Sequence, residues 1–419
     1  MSGLRLAFMS AWARRLTLSI TVMAVAVSTC LLLLMERVRQ DTKDSFMQAV
    51  SGVDLVVGPR SSGLALVLQS VFHVGQVPHT LSWSAYENLA QHPSVAWTAP
   101  LLRGDSVGGF PVIGTSSDAL THLKHGDQEP IKLAKGRLFS SHFEAVVGHE
   151  VAHSLHLELG QPVTVSHGMH EMGETDHDDK PMTVVGILAP TASPIDRSIW
   201  VSLESITALH LDWMGGAPLP GFRIGKEQVS KFQLQPKELN SVLVGLKQRT
   251  EVFKVQRQLN QQPGEALVAV IPGVALDELW VLLAQFERSL KVMGWMVTAV
   301  GLAGLMATLL AGLNERRREL AVMRALGASP SQIMMLVLLE SFWVTVTGLI
   351  LGLALRELVL RGLAPWVMTE IGIRWVPGWP QANEWRLMAA LMVTALAFGL
   401  VPAWRAWKMS LTDGLMPRS

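Results

Sequence analysis

Cysteine is nearly missing. The chain has 419 residues and a single cysteine, Cys30, which lies inside a hydrophobic run. No intrachain disulfide can form, and any metal site has to be built from histidine and carboxylate rather than from thiolate. Charge is scarce as well. Asp, Glu, Lys and Arg make up 16% of the residues and the net charge is +1, which leaves no broad basic field of the kind that holds nucleic acid. There is no phosphate loop in the sequence. The nearest stretch, Gly221 to Glu227, is a residue short between its glycines and lacks the Ser or Thr that would hold magnesium. The chain is therefore expected to have no ATP- and magnesium-binding catalytic site of its own, and so not to be an ATPase. After Met35 no small-x-small cleavage site follows, and Val27-Ser28-Thr29-Cys30 runs straight on into Leu31 to Leu34, so the first apolar segment reads as a retained helix and not a cleaved signal.

What is present in quantity is hydrophobic residue: 49% of the chain, with mean hydropathy +0.31. Four runs are apolar enough to cross a bilayer, which takes about 20 helical residues: 16–35, 292–313, 333–355 and 387–401. Arg5, Arg14 and Arg15 precede the first; Arg316, Arg317, Arg318 and Arg324 separate the second and third; Arg405 and Lys408 follow the fourth. Four spans put these three basic segments on one side, the cytoplasm, with both termini. The loop expected over 356–386 opposes this, since it carries Arg356, Arg361 and Arg374, offset by Glu357, Glu370 and Glu384. Residues 1–15 read as an amphipathic interfacial helix. Residues 36–285 form a large outer domain, 286–313 a stalk and second span, 314–332 a charged insert, and 402–419 a tail. The expected fold is a membrane protein of four transmembrane α-helices with a large α+β (α/β) domain inserted between helices 1 and 2.

Within that domain, β-branched runs predict strands at 53–57, 110–114, 162–165 and 182–188. Helices are expected at 84–91 behind a Ser82 or Ser84 cap, at 144–159, at 237–260, and from 276 into the second span. The insert is punctuated more sharply. Residues 315–326 are good helix formers, Gly327 suits a left-handed stop, and Ser329, Pro330 and Gln332 form a capping box with proline at the first helical position. In the third span, Gly348 and Gly352 form a GxxxG pattern that fits either a dimer seam or ordinary bundle packing.

The run Glu315-Arg316-Arg317-Arg318-Glu319-Leu320-Ala321-Val322-Met323-Arg324-Ala325-Leu326-Gly327-Ala328 closely resembles the cytoplasmic signature of the FtsX-like and MacB-like (type VII) ABC permeases, which include the lipoprotein-releasing permeases. Gly136-Arg137-Leu138-Phe139, the stretch from Ala145 to Gly160, and Val401 to Trp407 resemble further parts of that family's pattern. The resemblance implies an inner-membrane permease with a periplasmic domain. Its partners would be a dimeric cytoplasmic ABC ATPase, a second permease copy or homologue, a periplasmic adaptor or substrate protein, and membrane lipids. The insert would be the ATPase-coupling segment, with Glu315, Arg316, Arg317, Glu319, Met323, Arg324, Leu326 and Gly327 as its candidate residues. It also implies periplasmic work on peptide, lipid, lipoprotein or a metal-linked partner.

All thirteen histidines fall between His73 and His210. His149-Glu150-Val151-Ala152-His153 matches H-E-x-x-H, in which two histidines one turn apart bind zinc and the glutamate activates water. A zinc-dependent membrane hydrolase is thus an alternative class, though the metzincin extension is absent and His156 is too far along a helix to share an ion with His149 easily. The segment 167–179 is richer, with His167, His170, His177, Asp176 and Asp178 as candidate zinc ligands. A solvated hydrophilic loop is the competing reading. A signalling scaffold that uses ATP without transport is a third functional class.

Overall fold

The computed structural model describes residues 15–75, 78–126, 128–167, 177–214, 217–218, 224–371 and 375–408. The interfacial helix expected over 1–15, apart from Arg15, and the last residues of the tail lie outside them, as do His170 and Asp176. The chain divides into two compact units, one formed by the membrane segments and one by 42–283 with 367–374.

Four helices among the described residues are long and apolar enough to cross a membrane. They are α1 (Arg15–Ala49), α7 (Pro272–Glu315), α9 (Pro330–Ile371) and α10 (Ala382–Lys408). Each is longer than its apolar run. Small residues set their packing, since in lipid it is close backbone approach and not apolar transfer that joins helices. Thr21 of α1 donates to Thr308 of α7 (2.9 Å). A side chain at Gly301 would press on Ser28, and one at Gly399 of α10 on Ser341 of α9. Gly348 and Gly352 abut Val25, Ala26 and Thr29 of α1, so the GxxxG face is covered by the first span of the same chain. The dimer-seam reading of these two glycines is corrected to intrachain packing.

The loop expected over 356–386 is also corrected, because α9 stays helical to Ile371. Arg356, read as a loop charge, has a fully buried side chain. Its guanidinium pairs with Glu384 (2.7 Å) and Glu357 (3.3 Å) and donates to the Gly378 carbonyl (2.9 Å). Glu384 also pairs with Arg37 (3.2 Å), which pairs with Asp41 (3.1 Å). Asp41 accepts from the Val376 backbone N–H (2.9 Å), and Glu384 accepts from that of Gln381 (2.7 Å). Charges that hydropathy counts as a flank are here a neutralising network linking α1, α9 and α10.

The outer unit is built on a mixed sheet of eleven strands: β1 (Leu55–Pro59), β2 (Val95–Val107), β3 (Phe110–Thr115), β4 (Leu133–Gly136), β5 (Glu144–Val147), β6 (Pro162–Val163), β7 (Ser166–His167), β8 (Met182–Leu188), β9 (Ile199–Ser202), β10 (Ser241–Leu246) and β11 (Leu267–Val270). The order is β11-β1-β10-β2-β3-β9-β5-β8-β4, with β7 added to β2 and β6 to β8. Only the β8/β5 and β9/β3 pairs are parallel. Strand β8 alternates buried and half-buried residues, as a strand with one face inward must. By contrast β10 is buried throughout.

Helices α2 (Gly63–Phe72), α3 (Trp83–Ala90), α4 (His149–Ser154), α5 (Leu203–Leu209) and α6 (Val252–Gln261) pack with the sheet, beside shorter helical turns and three two-stranded pairs. The Ser82 cap of α3 is present, its hydroxyl accepting from Ala85 N–H (3.2 Å). Two expected helices are shortened. Residues 144–147 and 241–246 are strands instead, because the Val146-Val147 and Val242-Leu243-Val244 runs fill sheet positions between buried neighbours, and tertiary pairing outweighs local helix propensity. Gly136 shows why the Gly-Arg-Leu-Phe motif starts with glycine: its φ is +78°, and a side chain would collide with the Val185 carbonyl. Arg137 then pairs with Glu144 at the start of β5, and Phe139 is buried.

Candidate functional site

The charged insert folds into a short helix between two spans. Helix α7 ends at Glu315 and α8 (Arg317–Ala325) begins after a break at Arg316. Leu320 and Ala321 are buried, Leu320 in a cluster with Leu313, Ile333, Val337, Ala403 and Ala406, which fixes α8 to the ends of three membrane helices. Gly327, at φ +99°, ends the helix. There the Ala328 N–H donates to the Met323 carbonyl (3.0 Å) and the Gly327 N–H to that of Arg324 (3.0 Å), a Schellman-type stop. The restart is the capping box read from sequence. Gln332 N–H donates to Ser329 Oγ (3.3 Å), and Ser329 N–H donates to Gln332 Oε1 (2.8 Å).

The candidate coupling residues divide by where they point. Arg316 is buried and pairs with Glu340 of α9 (2.9 Å), so its charge locks α8 in place. Arg317, Met323 and Arg324 are half-buried; Glu315, Glu319, Leu326 and Gly327 are exposed. Two residues with no role in the sequence reading complete the picture. Glu340 holds Arg316, and Val322 is 54% exposed beside Leu326 at 84%. Two bare aliphatic side chains thus lie next to charges on a helix anchored by Leu320 and Arg316. Their signal in the sequence was present but weak: Val322 and Leu326 are four residues apart, on one face.

The H-E-x-x-H motif does lie on a helix, but α4 has six residues. His149 and His153 are exposed, and Glu150 accepts from the Ser154 hydroxyl (3.0 Å). Among the described residues no third ligand joins them.

The candidate ligands of 167–179 are not brought together by the described residues. The backbone of His167 pairs β7 with β2, Asp178 is exposed, and His177 turns inward. There it lies near Asp105 and His210, neither of which the sequence reading singled out. Burial pushes the His177 imidazole down to about 4. Burial also lowers that of His210, but the Asp105 carboxylate and the Ile206 carbonyl outweigh it and leave the group raised on balance. No local pattern marks this grouping, because Asp105 and His210 are brought together only by the sheet.

A cavity of about 580 Å³ in the outer unit is lined by Phe46, Phe72, His73, Phe110, Pro194 and Arg197, among others. His73 closes α2 with φ 56° and lies edge-on to Trp200 (6.3 Å between rings). Burial, helped by the charge of Arg103, pushes its pKa from 6.5 down to about 3. The folded chain thus keeps His73 neutral while the unfolded chain takes up a proton below pH 6.5. Acid should therefore favour unfolding between pH 6.5 and about 3, by as much as about 1.4 kcal/mol per pH unit from this group. His73→Asn, which tolerates the left-handed backbone, is expected to flatten the thermal stability of the purified chain across pH 4–6.5. An unchanged slope contradicts that assignment.

Four spans, a mixed-sheet domain inserted after the first and a capped helix between the second and third define a permease-type membrane subunit. Residues 16–262 match the family described as the MacB-like periplasmic core domain, and residues 291–411 that described as the FtsX-like permease C-terminal. The chain belongs to this FtsX-like, MacB-like ABC permease family, and the mixed-sheet unit is its periplasmic domain. It is similar to the Macrolide export ATP-binding/permease protein MacB of Nitrosomonas europaea, at 22% identity over 96% of this chain and 57% of that protein. It is also similar to the Uncharacterized ABC transporter permease YknZ of Bacillus subtilis, at 29% identity over 28% of each. The chain thus spans little more than half the length of the first of these and less of the second. Among solved structures, the periplasmic region of MacB from Actinobacillus actinomycetemcomitans aligns with 55% of this chain and 95% of that one, at 12% identity and TM-score 0.33.

Proposed function

We propose that the chain is the permease subunit of an ABC transporter that borrows its energy from a separate cytoplasmic ATPase and performs conformational work in the periplasm. The observation that carries this reading is α8, anchored by Leu320 and the Arg316–Glu340 pair while Val322, Leu326, Glu315 and Glu319 stay exposed. A helix meant only as a basic flank has no need of a buried anchor, two strict caps and bare aliphatic residues. Helices α1 and α7 each continue well beyond their apolar runs. Both termini are placed in the cytoplasm on the basic-flank argument, and two permease copies are taken to face an ATPase dimer. The candidate substrates are peptide, lipid, lipoprotein or a metal-linked partner.

The test is co-expression of the chain with its neighbouring ABC ATPase, followed by purification in detergent and reconstitution. The expected result is a stable complex whose hydrolysis exceeds that of the ATPase alone. An ATPase that neither copurifies nor responds to the chain removes the reading.

A further inference from the structure

We infer that Asp105, His177 and His210 form a divalent metal site of the zinc class inside the periplasmic domain. One ligand atom from each lies within 4.8 Å of the others; Asp105 and His177 are buried and His210 is half-buried. The donor set is two imidazoles and one carboxylate, which suits zinc and its first-row neighbours and not magnesium or calcium, whose ligands are oxygens. This inference concerns the periplasmic domain alone and stands whether or not the chain works with an ATPase.

Three observations set the grouping apart from an ordinary buried pair. The first is the spacing: His210 Nε2 is 3.5 Å from Asp105 Oδ1. A charge-assisted hydrogen bond closes to about 2.7–2.9 Å, whereas two ligands of one tetrahedral ion at bonds of about 2 Å sit about 3.3 Å apart. The second is the orientation of His210. Its Nδ1 is 2.9 Å from the Ile206 carbonyl, one turn back in α5. With Nδ1 engaged there, Nε2 is the nitrogen that faces Asp105 and the one an ion would take on displacing its proton, the arrangement that metal-ligating histidines adopt. The third is how Asp105 arrives. The β2/β3 pairing shifts register between Arg103 and Asp105, and such a bulge re-aims a side chain; Asp105 is fully buried.

The surroundings fit as well. The Trp213 ring lies 4.4 Å from that of His177 and covers it on one side. Lys180, whose charge acts on both histidines, is held by Asp212 (2.5 Å) and donates to the Leu209 carbonyl (3.4 Å), so a carboxylate of its own offsets its charge. Closing the set from its widest separation onto one ion takes a movement of about 1.5 Å, within the reach of an imidazole rotation. Among the described residues the set supplies three ligands, and a tetrahedral ion takes a fourth. Bound there, an ion would tie the end of α5 to β2.

The experiment uses the full chain in detergent, stripped with a chelator and titrated with zinc alone and, separately, with cobalt(II). The expected results for the wild-type chain are tight uptake of one ion at this site, a visible cobalt spectrum of a low-coordinate site and a higher melting temperature with zinc. Second-shell changes alone weaken metal sites by about 10–100-fold, so Asp105→Asn, His177→Gln and His210→Gln should each weaken zinc binding by at least about 100-fold and abolish the cobalt bands. His167→Ala with His170→Ala should retain both. Should the single variants fail to fold, the wild-type chain decides, by zinc X-ray absorption showing two imidazoles and a carboxylate oxygen. Absence of uptake, wild-type affinity in the three variants, or loss of binding only in the His167/His170 variant overturns the inference.

Discussion

Glu384→Ala is expected to destabilise the membrane unit by about 3–5 kcal/mol, the usual cost of stranding a buried charge. Glu384 holds Arg356 at 2.7 Å and Arg37 at 3.2 Å, and all three side chains are at most 4% exposed. Removing the carboxylate leaves Arg37 with Asp41 and leaves the fully buried Arg356 with only Glu357, at 3.3 Å and already paired to Arg361 at 2.9 Å. The measurement is thermal unfolding of the purified chain in detergent, where the variant should lose much of its cooperative transition. The paired change Arg356→Met with Glu384→Leu removes both charges and should recover a good part of the loss, since apolar replacement of a whole buried pair is often neutral or better. A single variant within about 0.5 kcal/mol of wild type, the ordinary range for a surface substitution, would show that the network carries no structural load.

The second large effect is expected at α8. Val322→Asp with Leu326→Asp places two charges where two aliphatic side chains are exposed, leaving Leu320, Ala321 and Arg316 untouched. Each apolar side chain buried at an interface contributes about 1.5–3 kcal/mol, so losing both should weaken the ATPase complex by at least about 100-fold. Stimulated hydrolysis should fall to the level of the ATPase alone, with the melting temperature of the permease unchanged. Arg316→Ala should act differently. It breaks the pair with Glu340, so lower stability should accompany any loss of coupling.

These two sites were unequally legible in the sequence. The stop and restart around α8 depend on contacts three to five residues apart, so Gly327, Ser329, Pro330 and Gln332 announced them before any fold was known. The Arg37–Glu384 contact spans 347 positions, and no periodicity encodes it. The sequence therefore presented Arg356 as a loop charge that opposed the topology argument and Glu384 as a partial offset, whereas the fold makes them counterions of each other. The same distance effect hid the Asp105–His210 contact while leaving His177 visible, since His177 stood in a histidine-rich run. Residues 144–147 and 241–246 misled for a related reason: their local helix propensity is overruled by sheet partners far away in the chain.

The central claim, that α8 is where an ATPase engages this permease, is tested most directly by position-specific crosslinking. Cys30→Ser removes the single cysteine, and Leu326→Cys then places a thiol on the most exposed residue of the proposed docking face. A photoactivated crosslinker attached there, in membranes that also contain the ATPase subunit, should yield a permease–ATPase product. The same reagent at Val74→Cys, exposed in the periplasmic domain, should yield none. A crosslink from residue 74 to the ATPase, or none from residue 326 in an active complex, would contradict the account.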